Sequence, residues 1–342
     1  MDVLSHIPLA PYTTFRIGGP ARWFVEATTE DDIVEAVQWA QERRAPLFIL
    51  GGGSNLLISD AGFDGLVLRI ALRGVDTPSA GIYQTAAGED WNKLVQRTLD
   101  DNCAGIECLA GIPGTVGGTP VQNVGAYGQE VSSTILRVRG YDLREHSFTT
   151  LSAGDCGFAY RRSRFNAEDQ GRFIVTRVDY LLTPGGPPAL RYADLQHAFE
   201  SHAGVPTLSE VAEAVRQIRH SKGMLLVPGD SNCRSAGSFF KNPVIGEDLF
   251  QKIAARSAGA PPRFLAESGK AKIPAAWLIE QCGFSKGYTK GAAAISTRHT
   301  LALTNRGDAT AAGVLALASE IAAAVKDRFE VELEMEPVQV GF

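Results

Sequence analysis

No segment of this 342-residue chain is apolar for long enough to cross a bilayer. Its opening residues, MDVLSHIPLAPYTTF, lack the charged start and apolar stretch of a secretory signal. A cytoplasmic location is therefore expected. An excess of basic charge is also missing: 33 Lys and Arg face 38 Asp and Glu, a net charge of -5. Nucleic acid is not expected as a partner, because a phosphate backbone calls for a basic face. Metal-ligand spacing is absent too. Cys103, Cys108, Cys156, Cys233 and Cys282 form no C-x-x-C pair, and none stands at zinc spacing from a histidine. They read as free thiols, mostly small core residues, and no metal is expected. Internal repeats and low-complexity tracts are lacking as well.

Glycine is what the chain has in quantity, 36 residues, and it is clustered. In ILGGGSNLLI a strand pattern runs into Gly51, Gly52, Gly53, Ser54 and Asn55, and a second strand pattern follows. Such a loop turns successive N–H groups toward an anion. It is not the dinucleotide fingerprint, because no helix follows, and it is not a P-loop, because GK[ST] is absent. A tight hairpin turn is the competing reading. A second segment, AGIPGTVGGTPVQNVGAYGQE (110–130), adds Gly111, Gly114, Gly117, Gly118, Gly125 and Gly128. Each glycine forfeits side-chain burial and costs conformational entropy, which a core does not need. Two glycine-rich loops around one pyrophosphate-bearing nucleotide cofactor account for that cost better.

Elsewhere helix and strand patterns mix without strict βαβ alternation, which predicts an α+β fold. Helical spacing marks 31–44, 90–102, 274–283 and 309–329, and Thr207 with Glu210 forms a capping-box signature before another helix. PLFIL (46–50) reads as a buried strand, RFIVTRVDYLLT (172–183) as a strand, and VELEMEPVQV as an alternating C-terminal strand. PGGPPA (184–189) reads as a connection between lobes.

FRIGGPA (15–21), GGGSNLLI (51–58), AGIPGTVGG (110–118), QNVGAYGQE (122–130), YRRSRF (160–165) and AGSFFKNP (236–243) together resemble the UDP-N-acetylenolpyruvoylglucosamine reductase family. The likeness spans residues 13–337. It implies a two-lobed FAD-binding module of the vanillyl-alcohol-oxidase type and a C-terminal α+β substrate-binding lobe. The expected division is 1–70 and 71–205 for the two FAD lobes and 206–329 for substrate, with strand 330–342 packing back on the second lobe. It also implies FAD, held non-covalently, with NADPH as electron donor, a UDP-sugar substrate and a monomeric enzyme of cell-wall precursor synthesis. FAD contacts are expected from Gly51, Gly52, Gly53, Ser54 and Asn55 in the first loop. The second loop would add Ile112, Pro113, Gly114, Gly117, Gly118, Asn123, Gly125 and Ala126.

In the implied reaction, reduction at the terminal carbon of an enolpyruvyl ether pushes negative charge onto the adjacent carbon and its carboxylate. The site then needs a fixed cation and an acid. By resemblance the acid is Ser238, with Gly237 admitting substrate and Phe239 and Phe240 anchoring the loop; a turn hydroxyl is the plainer alternative. Arg161 matches the family's carboxylate-gripping arginine, while Arg162 and Arg164 read as surface charges. The family's Leu-Glu-Pro-Glu-Val stands here as Leu333-Glu334-Met335-Glu336-Pro337. That register selects Glu336 as the catalytic carboxylate, with Glu334 as the alternative. Tyr127, Tyr192, Lys222 and Asn242 match substrate-binding positions, and Tyr192 points to the branch with a substrate-closing tyrosine. His299 is either a polar contact or a structural histidine. Two rival readings remain: a flavin oxidase of the same fold acting elsewhere, and a nucleotide-binding regulator without catalysis.

Overall fold

The computed structural model describes residues 1–257, 261–264 and 268–342. The chain divides into two compact units. The first comprises 1–7, 21–53 and 64–221, and the second comprises 8–20, 54–63 and 222–342.

The first unit holds a four-stranded sheet in the order Leu4–Pro8, Pro20–Ala27, Phe63–Ile70, Leu47–Leu50. Leu47–Leu50 runs parallel to Phe63–Ile70 and is only half-buried except at Leu50, less covered than its apolar run predicts. Helix α1, Glu30–Glu42, starts where Thr29 and Asp32 cap each other, and it buries Ile33, Ala36, Val37 and Ala40. A five-stranded antiparallel sheet follows, ordered Ser147–Ser152, Ile135–Asp142, Phe173–Leu181, Ile82–Ala86, Val75–Ser79. Helix α2, Trp91–Asp100, is capped by Asp90 and packs Trp91, Leu94, Val95 and Leu99 into this unit's core. The short helix α3, Ala193–Ala198, follows Tyr192.

Helix α4, Leu208–Ser221, begins at the reciprocal Thr207–Glu210 cap. Its buried Leu208, Val211, Ala212 and Val215 join the first unit's core. The change of unit therefore falls after Ser221, not near residue 205. PGGPPA is no connection between units: Thr183 and Pro184 pair with Ala104 and Cys103 inside the first.

The second unit packs around the long helix α7, Ala311–Phe329, whose Val314, Leu317, Ala318, Ile321, Val325 and Phe329 are fully buried. Beside it lie helix α5 (Glu247–Arg256), helix α6 (Ala275–Gln281) and a three-stranded sheet, Thr289–Lys290, Ala293–Ile295 and Leu303–Asn305. The C-terminal alternation is not one strand. Glu330 ends α7 in a left-handed conformation, and only Val338–Val340 forms a strand, parallel to Leu56–Ile58. It pairs there and not with residues 71–205. Between them, Met335 makes a single bridge to Phe240. Pro337, which lacks an N–H, fits the break in the ladder. No helix among the described residues is long and apolar enough to cross a membrane.

Candidate functional site

In the first unit the two glycine-rich loops meet backbone to backbone. A Cβ placed on Gly52 would stand 2.5 Å from the Cα of Gly114 and 2.8 Å from the amide nitrogen of Thr115. Gly114 itself has φ +135°, a conformation side chains rarely adopt. Among the described residues, the main-chain N–H groups of Gly52, Gly53, Gly114 and Thr115 donate to no protein acceptor. Polar main-chain groups of a closely packed loop normally find partners. Unpaired donors on two touching loops fit the phosphate groups of a dinucleotide cofactor.

The first turn of α2 holds the second loop in place. Asn92 accepts from the Gly111 amide at 2.6 Å and donates to the Ile112 carbonyl at 3.0 Å. Trp91 donates its indole N–H to the Leu109 carbonyl at 3.0 Å. Gly117 packs against Ala87, while a Cβ on Gly118 would meet open space. Asn92 belongs to no motif, so sequence reading missed it.

Residues 122–130 turn sharply. Asn123 (φ 44°) and Tyr127 (φ 49°) both have left-handed backbones, and Gly125–Ala126 pairs with Gln129–Glu130. The Asn123 side chain donates to Glu130 at 2.9 Å and to the Ala159 carbonyl at 3.0 Å. That second bond fastens this loop to the turn carrying Arg161. Arg161, also left-handed at φ 54°, donates to the Gly125 carbonyl at 2.8 Å. Arg162 is an exposed residue paired with the exposed Glu168, whereas Arg164 is half-buried and pairs with the buried Asp169, so it is not the surface charge the sequence suggested. The Tyr127 and Tyr192 rings meet edge to face at 5.3 Å.

In the second unit, Ser238 sits on a loop anchored from below by aromatics. Phe239 and Phe240 are each 1% exposed, and Phe239 packs edge-on against Phe15. The Phe239 amide donates to the Leu301 carbonyl at 2.7 Å. Gly237 has φ +76°, which lets the chain turn into Ser238. The Glu336 amide donates to the Phe239 carbonyl at 2.9 Å, so Glu336 lies across from the residue next to Ser238. Asn55 clamps the same segment: its side chain donates to the Glu336 carbonyl at 3.1 Å, and its own carbonyl accepts from Val338 at 2.9 Å. Asn55 thus spends a side-chain donor on the protein, where the sequence suggested a cofactor contact. Glu334 is held differently, in an ion pair with Lys241.

Asn242 gives its carbonyl oxygen to the Ala275 amide at 2.9 Å and so caps α6. That leaves its NH2 group as the end able to donate to a ligand. The ammonium charges of Lys222 and of Lys286, the latter unmarked by any motif, both act on the His299 imidazole. Burial, with the two ammonium charges, pushes His299 down to about 4. Its Nδ1 accepts from the Leu301 amide at 3.1 Å, as a neutral ring can. Two ammonium charges acting at a neutral histidine make the local field favourable to an anionic group.

Comparison with known proteins agrees with both halves of this picture. Residues 21–143 match the family model "FAD binding domain", and residues 228–340 match "UDP-N-acetylenolpyruvoylglucosamine reductase, C-terminal domain". The chain is 49% identical to the UDP-N-acetylenolpyruvoylglucosamine reductase of Streptomyces coelicolor, over 99% of this chain and 90% of that one. It is 43% identical to the reductase of that name from Thermobifida fusca, over 98% and 97%. The crystal structure of UDP-N-acetylenolpyruvylglucosamine reductase from Thermus caldophilus superposes with a TM-score of 0.68 at 26% identity, covering 99% of this chain and 98% of that one.

Proposed function

Since the chain belongs to the UDP-N-acetylenolpyruvoylglucosamine reductase family, we propose a residue-level account of how it carries out the family's reaction. It is an FAD-dependent oxidoreductase that reduces the enolpyruvyl ether of UDP-N-acetylglucosamine enolpyruvate for peptidoglycan synthesis. NADPH is the proposed electron donor, and the enzyme is proposed to work as a cytoplasmic monomer.

The unpaired amides of Gly52, Gly53, Gly114 and Thr115 would hold the FAD pyrophosphate, with Ser54, Ile112, Pro113, Gly117, Gly118, Asn123, Gly125 and Ala126 lining the remainder. When bound, FAD supplies the electron pair that reduces the double bond. Residues 1–70 and 71–205 carry the flavin in this reading and 206–329 the substrate, except that α4 packs with the flavin-side core.

Arg161 would grip the substrate carboxylate, since a guanidinium keeps its charge and presents paired donors. That contact strengthens as charge spreads onto the carboxylate, which lowers the barrier. Ser238 Oγ would donate its proton to the neighbouring carbon; a carbanion-like carbon is basic enough to take a proton from a hydroxyl. Glu336 would orient or recharge that hydroxyl. Lys222 and the Asn242 NH2 would bind polar groups of the UDP-sugar, with Tyr127 and Tyr192 covering it.

The observation that carries this account is the Glu336–Phe239 hydrogen bond, which sets an acid across from the serine loop. Stopped-flow measurement of Ser238→Ala tests it. Flavin reduction by NADPH should keep its rate, while reoxidation by the enolpyruvyl nucleotide-sugar should fall about 10²–10⁴-fold. Equal losses in both half-reactions would assign the loop an architectural role.

A further inference from the structure

Arg219, on the last turn of α4, is 8% exposed. Burying a guanidinium is costly unless its donors are used. One of them is used on Tyr127: the two side chains are hydrogen-bonded, and the contact partly offsets the effect of burial on the arginine. Guanidinium carries donors only, so the phenol oxygen is the acceptor in this bond. The single phenolic proton then has to be donated elsewhere.

The surroundings leave Tyr127 little freedom to turn. Its backbone is left-handed at φ 49°, and its ring is set edge-on against Tyr192. The buried Glu107 carboxylate fastens both flanks with one oxygen, accepting from the Gln129 side chain at 2.8 Å and from the Ala189 amide at 2.8 Å. Gln129 follows Tyr127 by two residues, and Ala189 precedes Tyr192 by three. Both tyrosine-bearing segments are thus tied to the same buried group.

We infer that Arg219 is a positioning residue: by donating to the Tyr127 hydroxyl it turns that group's own proton away from the guanidinium, fixing Tyr127 as a donor to an oxygen of the nucleotide-sugar. The inference rests on reading Tyr127 as a substrate-binding residue. A phenol without this partner alternates between donor and acceptor, and part of its binding contribution is lost.

The test is a double-substitution cycle on the oxidised holoenzyme. The Kd for the enolpyruvyl nucleotide-sugar is read from perturbation of flavin absorbance. Arg219→Met should raise Kd roughly ten-fold, the loss expected for one well-formed hydrogen bond. Tyr127→Phe should raise it similarly, and the double variant should add little. In Arg219→Met, reoxidation at saturating substrate should stay within about two-fold, a split that general loosening of α4 would not give. A normal Kd in Arg219→Met beside a raised Kd in Tyr127→Phe overturns the inference and leaves Tyr127 in the site. A normal Kd in both removes Tyr127 from the substrate as well. If Arg219→Met does not fold, Arg219→Lys, which keeps charge and a donor, replaces it. Its effect should vanish in the Tyr127→Phe background, and additive effects overturn the inference.

Discussion

Glu334 and Glu336 stand two residues apart yet meet different neighbours. Glu334 is 71% exposed at its side chain and pairs with Lys241. An exposed pair of this kind contributes about 0–1 kcal/mol. Glu336 is fixed at its main chain by both Phe239 and Asn55. Glu334→Gln should therefore leave reoxidation by substrate within about two-fold, and Glu336→Gln should slow it by about 10² or more. The opposite order, measured by stopped flow, would transfer the role to Glu334. Sequence reading reached these candidates because each sits inside a contiguous motif. It could not reach Asn92 or Arg219, whose partners lie far along the chain: Asn92 meets Gly111 and Ile112, and Arg219 meets Tyr127. Nothing in their local spacing announces those contacts.

Between elements, the meeting of the two glycine loops is the sensitive point. Gly52 is exposed, so a side chain there costs no core packing, but its Cβ would press on the Gly114 backbone at 2.5 Å. Gly52→Ala should push the two loops apart and weaken FAD binding at least ~10-fold, or ~1.4 kcal/mol, with some loss of stability in the flavin-free protein as well. Asn92→Ala should act through the same loop by releasing Gly111 and Ile112. Two lost hydrogen bonds would weaken FAD retention by about 1–3 kcal/mol. Fluorescence titration with FAD checks both, and full flavin retention in Gly52→Ala would refute the phosphate-cradle reading. The helices were legible from period and caps, because Thr29–Asp32 and Thr207–Glu210 are local devices. Residues 331–337 misled because alternation shows two faces but cannot show whether a neighbouring strand exists. Here one arrives only at Val338.

At the scale of the whole chain, an amphipathic helix advertises its apolar face without naming the core that receives it. That is why α4 read as part of the substrate lobe although its leucine and valines pack with the first unit. The two units also differ in how they should meet acid. In the second, His299 is held near 4 by burial and by Lys222 and Lys286, against an ordinary 6.5. The unfolded chain takes up that proton first, so stability should fall as pH drops from about 6.5 to about 4 and level off below. In the first, the bonds from Arg172 hold Asp142 down to about 2 against an ordinary 3.8, with the Arg144 and Glu145 amides assisting. Its contribution is complete above about 4 and is lost as pH falls toward 2. Arg-paired Glu30 and Asp169 are lowered in the same sense and steepen that limb. Urea unfolding followed across this range should show two separable declines. His299→Gln should flatten the upper one and spare the lower, while Asp142→Asn should lower stability near neutrality and reduce the lower slope. Wild-type and His299→Gln profiles that superimpose between pH 6.5 and 4 would show that the imidazole is not held neutral by its surroundings.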